Sequence, residues 1–302
     1  MGHGHTHNHN HNHGVDVSGY HKSFAIGIGL NITFIAVELF YGFLANSSAL
    51  IADAGHNAGD VLGLVFAWIA IWLAGKSPKG RYSYGYKKST ILISVLNAII
   101  LFVAVGFILW DAIGKFVNPA PVGGTQVMIV AGIGVVINTL TALMFVKGQK
   151  NDLNIKGAFL HMAADAAVSL GVVIAGLLIR STGANWLDPV MSILIALIII
   201  GGTWRLFVDS VNLALDATPE GIQLDEVSQT LLAHEDVVEV HDLHIWAMST
   251  SENAMSAHIT VEAQSSPKLL GEIRGVLAEK FHLSHTTIQL ETKEVQLQCQ
   301  SC

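Results

Sequence analysis

Charge is the first thing this sequence is short of. Asp, Glu, Lys and Arg make up 13% of its 302 residues, against about 25% in a typical soluble domain. The shortfall excludes an ordinary water-soluble enzyme and a disordered chain. With 51% apolar residues and a mean hydropathy of +0.51, it argues for a membrane protein. A basic excess is missing too. Acidic residues outnumber basic ones 23 to 16 and no basic run stands out, so nucleic acid is not an expected partner. Cysteine is nearly absent: Cys299 and Cys302 lie in the last four residues and cannot build a disulfide framework. The N-terminus has neither the basic start nor the apolar stretch of a signal peptide. No His-Glu-x-x-His occurs, so a membrane metalloprotease, and enzymatic activity generally, is not expected.

What the chain does have is histidine, 15 in all. Six stand at alternate positions from 3 to 13 in a low-complexity tail, residues 1–20, that cannot pack a core and is expected to be disordered without metal. Residues 21–209 then hold six apolar stretches, near 22–44, 48–74, 88–113, 125–147, 155–180 and 187–209. Each reaches the roughly 20 residues a membrane-spanning helix needs. Basic residues set the expected orientation. Lys22, Lys76, Lys79, Arg81, Lys87, Lys88, Lys147, Lys150, Lys156 and Arg205 fall on one side, and only Lys115 and Arg180 on the other. Both termini are therefore expected in the cytoplasm, in agreement with an even number of helices. Residues 210–295 are polar and read as a small α+β domain of order αββαβ, with helices near 222–234 and 267–281 and strands near 237–248, 255–263 and 286–294. Residues 296–302 form a tail carrying Cys-x-x-Cys.

The chemistry lies inside the membrane segments. The second stretch contains His56 and Asp60, the fifth His161 and Asp165. A spacing of four puts both side chains of each pair on one helix face, and ionisable groups at membrane depth usually line a pathway or a site. Random placement of 12 aspartates among 302 residues predicts about a third of one such pair for the nine histidines outside the tail; two occur. Helices two and five run in opposite directions at equivalent places in two three-helix halves, the pattern of an inverted repeat with its site near the midplane. Antiparallel packing sets His56 level with Asp165 and Asp60 level with His161. A shell of two nitrogens and two oxygens suits Zn²⁺; Co²⁺ also fits, whereas Cd²⁺ prefers softer ligands. Such ligands bind metal only when deprotonated, so protons and metal compete, and histidine makes that competition usable near neutral pH. Exchange of Zn²⁺ for H⁺ is the expected mechanism. A broader divalent cation exporter and a non-transporting zinc sensor are the alternatives. Glu38 and Asp53 either line a path or bond a neighbouring helix, and the structural role is preferred.

With these residues in hand, the chain resembles the cation diffusion facilitator family, and its zinc-efflux branch most. Leu50-Ile51-Ala52-Asp53-Ala54-Gly55-His56 with Asp60, His161 with Asp165, Val240-His241-Asp242-Leu243-His244-Ile245-Trp246 and Thr287-Ile288-Gln289-Leu290-Glu291 carry the resemblance. The short link between helices four and five looks bacterial. The resemblance implies a homodimer in the cell (inner) membrane, alternating access driven by proton entry, and a cytoplasmic domain with a metallochaperone-like fold that contributes to the dimer. It implies a transport site at His56, Asp60, His161 and Asp165. It further implies cytoplasmic zinc, probed by His241 and His258 on successive strands, with His285 and Glu291 around the last strand and Cys299 and Cys302 beyond it. Zn²⁺ is thus expected as substrate and as regulatory ligand. Residues 75–86 hold neither Asp nor His, so the further site some bacterial members carry there is not expected. Strand alternation places His241 and His244 on opposite faces. His234 and His282 read as surface histidines.

Overall fold

A computed structural model of the chain describes residues 18–146, 153–262 and 268–292. The histidine-rich tail and Cys299 and Cys302 lie outside the described residues. Six long helices come first: α1 (Ser18–Leu44), α2 (Ser48–Ala74), α3 (Ser89–Val117), α4 (Gly124–Phe145), α5 (Leu153–Thr182) and α6 (Leu187–Ala214). Helices α2 to α6 are long and apolar enough to cross a membrane, and the apolar part of α1, Asn31–Leu44, continues the pattern. Large apolar side chains stand exposed along them, Phe107 at 72% and Trp110 at 82%, as a lipid-facing surface requires. The chain then forms α7 (Leu224–Leu232), β1 (Val237–Ala247), β2 (Asn253–Val261), α8 (Leu269–Phe281) and β3 (His285–Glu291), the expected αββαβ order.

The chain packs as two units: residues up to 61 with 115–191, and residues 62–114 with 192 onward. In the first, α4 and α5 approach until their backbones meet. A Cβ on Gly124 would lie 2.7 Å from the Gly176 carbonyl oxygen, and one on Gly176 2.8 Å from the Met128 nitrogen. Small residues are what allow such contact between membrane helices. Phe34 of α1 fills the space over Gly134 of α4, where a Cβ would meet its ring at 2.9 Å.

The start of α2 is held by a borrowed cap. The buried carboxylate of Asp188, in the first turn of α6, accepts hydrogen bonds from Ser47 Oγ, from the Ser48 backbone N–H at 2.6 Å and from that of Ala49 at 3.4 Å. The first amides of a helix have no partner within it and its N-terminus favours an anion, so Asp188 does from another helix what an N-cap side chain does locally. Asp188→Ala leaves these buried donors unsatisfied and is expected to cost about 3 kcal/mol. A lower unfolding temperature of the purified protein in detergent checks this, and an unchanged one refutes the cap.

In the second unit, Phe102 of α3 meets Phe207 of α6 edge to face, ring centroids 5.4 Å apart. Its C-terminal part is a three-stranded sheet with β2 in the middle, antiparallel to β1 and parallel to β3. Alternate residues of β2, Met255, Ala257, Ile259 and Val261, are buried against Val227 and Leu231 of α7 and Leu269, Ile273 and Leu277 of α8. Period-two burial on a strand and apolar stripes on two helices thus put both helices on one face. The other face carries Ser256, His258 and Thr260.

Candidate metal centres

Asp53, His56, Asn57 and Asp60 recur on α2 at i, i+3, i+4 and i+7, and His161, Asp165 and Ser169 on α5 at i, i+4 and i+8. Each set is one helix face. The two faces meet antiparallel and form a ladder of three rungs. His161 Nε2 lies 3.2 Å from Asp60 Oδ2. His56 Nε2 lies 3.2 Å from Asp165 Oδ1. Ser169 Oγ donates to Asp53 Oδ2 at 3.0 Å. Asp165 ties the first two rungs together, since its other oxygen is 3.7 Å from His161 Nε2.

Ligand atoms of His56, Asp60 and Asp165 all lie within 4.8 Å of one another, and His161 reaches both carboxylates from its own rung. Two imidazoles and two carboxylates converging at this spacing are a set a tetrahedral divalent cation can draw together. The buried Asp165 Oδ2 has no hydrogen-bond partner among the described residues, as an oxygen reserved for a cation would. Exposure falls steadily along the ladder. The side chains of His161 and Asp60 are 45% and 35% exposed, those of His56 and Asp165 16% and 5%. Asp53 and Ser169 are buried completely. The cluster is therefore open at one end and closed at the other.

The open face of the small sheet carries a second cluster. His241 pairs with His258 across the antiparallel strands, and Glu291 follows one step along β3. His258 Nδ1 lies 3.0 Å and His241 Nε2 3.5 Å from the Glu291 carboxylate. Both nitrogens of His241 and Oε2 of Glu291 are buried without hydrogen-bond partners among the described residues. Two histidines and a glutamate converging on one point, with His241 and one glutamate oxygen left without partners there, are the donors zinc takes.

His285 is not brought to this cluster. It pairs with Ala254, four residues along β2 from His258, or about 13 Å at strand rise, and its ring stands edge to face with Tyr84 at 5.4 Å. His234 sits beside Glu272 at 3.1 Å.

The expectation that His241 and His244 face opposite ways is overturned. Between them the register slips by one residue: His241 pairs with His258, and His244 with Ser256. Asp242 adopts a left-handed φ of 50° there. The extra residue of a β-bulge cancels one alternation, so both histidines reach the open face. Asp242, which was not among the expected ligands, joins them: one oxygen lies 2.9 Å from His244 Nε2, the other 3.8 Å from His258 Nε2. The hydrogen bond from His244, with lesser help from the positive charge of the other histidines, holds the Asp242 carboxyl below the usual carboxylate range. The other residues missed were Asn57 and Ser169. Their helical spacing from His56 and Asp165 was a usable signal.

Residues 24–213 match the cation efflux transmembrane domain and residues 219–293 the cytoplasmic domain of cation efflux proteins. The chain belongs to the cation diffusion facilitator family. This member is accordingly a multi-pass membrane protein that exports metal cations. It is 36% identical over 266 residues to the cadmium, cobalt and zinc/H⁺-K⁺ antiporter of Bacillus subtilis strain 168, covering 86% of this chain and 85% of the relative. It is 35% identical over 266 residues to the zinc transporter ZitB of Escherichia coli strain K12, covering 87% and 85%. Among solved structures it is similar to the metal-bound C-terminal domain of a CzcD transporter, with 36% identity over 23% of this facilitator and 99% of that domain and a TM-score of 0.22.

Proposed function

We propose that this facilitator is a homodimeric secondary transporter and not an enzyme. It exports Zn²⁺ from the cytoplasm in exchange for H⁺ by alternating access at His56, Asp60, His161 and Asp165. It sits in the inner membrane with both termini cytoplasmic. The observation that carries the reading is the pair of cross-helix His–Asp rungs. Two imidazoles suit the borderline softness of zinc, and two carboxylates balance its charge within the bilayer. Because all four groups bind metal only when deprotonated, a proton arriving at the site displaces the cation, and a cation arriving displaces protons. The ladder is open at the Asp60–His161 rung, which the basic-residue pattern puts on the cytoplasmic side, so the arrangement supports a state that loads from the cytoplasm. A broader range of divalent cations is the second reading, favoured by the relative named for cadmium, cobalt and zinc.

The test is zinc flux into proteoliposomes under an imposed pH gradient. Accumulation is expected to follow the gradient and to stop when it is collapsed. Tight zinc binding with no flux would leave a sensor instead, and equal rates with Co²⁺ and Cd²⁺ would favour the broader reading.

The cytoplasmic cluster fits a regulatory zinc. His241, His258 and Glu291 would hold it, and its positive charge would offset acidic groups where two cytoplasmic domains approach. His258→Ala is expected to remove one bound zinc per protomer from the full-length dimer, measured by equilibrium dialysis and elemental analysis. Unchanged stoichiometry would dismiss the site.

A further inference from the structure

The third rung of the ladder has no work to do in a four-ligand metal site. Asp53 and Glu38 are 1% and 0% exposed. Their carboxyl groups lie within hydrogen-bonding reach of each other. Among the described residues their hydrogen-bond donors are neutral: Ser169 Oγ donates to Asp53, and Asn57 Nδ2 to Glu38 Oε2 at 3.1 Å. Glu38 Oε1 is buried and has no donor among the described residues. The ionisable groups facing the pair are His56 on α2 and Asp165 on α5; α4 contains no ionisable residue. No lysine or arginine is therefore at hand to balance two carboxylates. With no cation on the neighbouring rung, two bare negative charges in contact inside apolar helices are not a tolerable state. One proton shared by the two carboxyl groups removes half the charge and supplies a donor that the pair lacks.

We propose that Glu38 and Asp53 form a proton-holding station at the closed end of the ladder, and that occupation of this station by a proton alternates with occupation of the His–Asp site by the exported cation. The inference rests on the antiport reading above and adds to it where a counter-ion waits. Asp53 stands one helical turn from His56, so a dication on the His56–Asp165 rung and a proton on the pair repel through low-dielectric surroundings. When the cation leaves toward the closed side, the pair takes up a proton arriving from that side. When the next cation loads from the open side, the proton is driven off and passes inward. Each event disfavours the other, and the coupling is reciprocal. A purely structural pair would hold its proton throughout the cycle and leave the pH dependence of transport untouched.

The experiment compares wild type with the near-isosteric double variant Glu38→Gln/Asp53→Asn, each reconstituted in proteoliposomes. Two rates are read: zinc uptake driven by an imposed pH gradient, and exchange of radioactive for unlabelled zinc at equal pH on both sides. In the variant, gradient-driven uptake is expected to fall at least tenfold and to lose its pH dependence, while zinc–zinc exchange stays within twofold of wild type. The single variant Glu38→Gln, which keeps the Asp53–Ser169 bond, is expected to show the same split. Gradient-driven uptake within twofold of wild type would overturn the station and leave antiport standing. Equal loss of both rates would reduce the pair to packing and overturn it as well. Wild-type protein that exchanges zinc but ignores the gradient would overturn the antiport reading and the station together.

Discussion

Asp165→Ala is expected to abolish pH-driven zinc flux, the largest functional effect any single substitution here should have. Asp165 is the one carboxylate that meets both histidines, His56 Nε2 at 3.2 Å and His161 Nε2 at 3.7 Å, and it is 3% exposed. Removing it takes away one of four ligands and half of the negative charge that balances the cation. Loss of a group that merely supports a metal ligand costs about 10–100-fold, so loss of a ligand that also bridges the rungs should exceed 100-fold. Zinc uptake into proteoliposomes gives the number. His234→Ala, which changes a histidine paired with Glu272 in the cytoplasmic domain, controls for general damage and should transport normally. Flux that survives Asp165→Ala would mean that the path avoids the ladder.

Gly176→Val should have the largest effect on folding. A Cβ at this position meets the Met128 backbone nitrogen at 2.8 Å and the Gly124 carbonyl oxygen at 3.0 Å. Both are main-chain atoms of α4, so no side chain can swing aside; the helices themselves must separate. Overpacking of this kind costs about 3 kcal/mol, and it acts on the helix that presents His161 and Asp165. The substitution is expected to lower the unfolding temperature in detergent and the yield of dispersed protein. Gly201→Ala is the internal comparison, because nothing lies within 4 Å of a Cβ there. It should leave stability unchanged or raise it slightly through helix propensity. Equal stability of Gly176→Val and wild type would mean that the α4–α5 contact is looser than described.

Most of the architecture was legible from composition and period. Six apolar runs of spanning length can be little else than membrane helices, because backbone hydrogen bonds must close within each segment. The observed α2, Ser48–Ala74, coincides with the apolar run 48–74. The small domain was readable because strands alternate at period two and its helices carry apolar stripes. The His–Asp pairs were legible for the same reason: a spacing of four on a helix is already a statement about geometry. The bulge at Asp242 was not legible. A one-residue slip leaves no mark in residue pattern when the residues on both sides of it are histidines, which suit either face.

The sequence by itself determined the class of molecule, the residues capable of binding a cation and the antiparallel pairing of their helices, because these follow from hydrophobic length and helical repeat, which are local. Tertiary structure decided what those residues meet. It put Ser169 against Asp53 and Asn57 against Glu38, closed one end of the ladder, kept His285 away from His241 and His258, and supplied the α2 cap from Asp188. Those contacts join residues separated by 19 to 140 positions or more. They depend on which helix faces which and at what height, and no local periodicity encodes that.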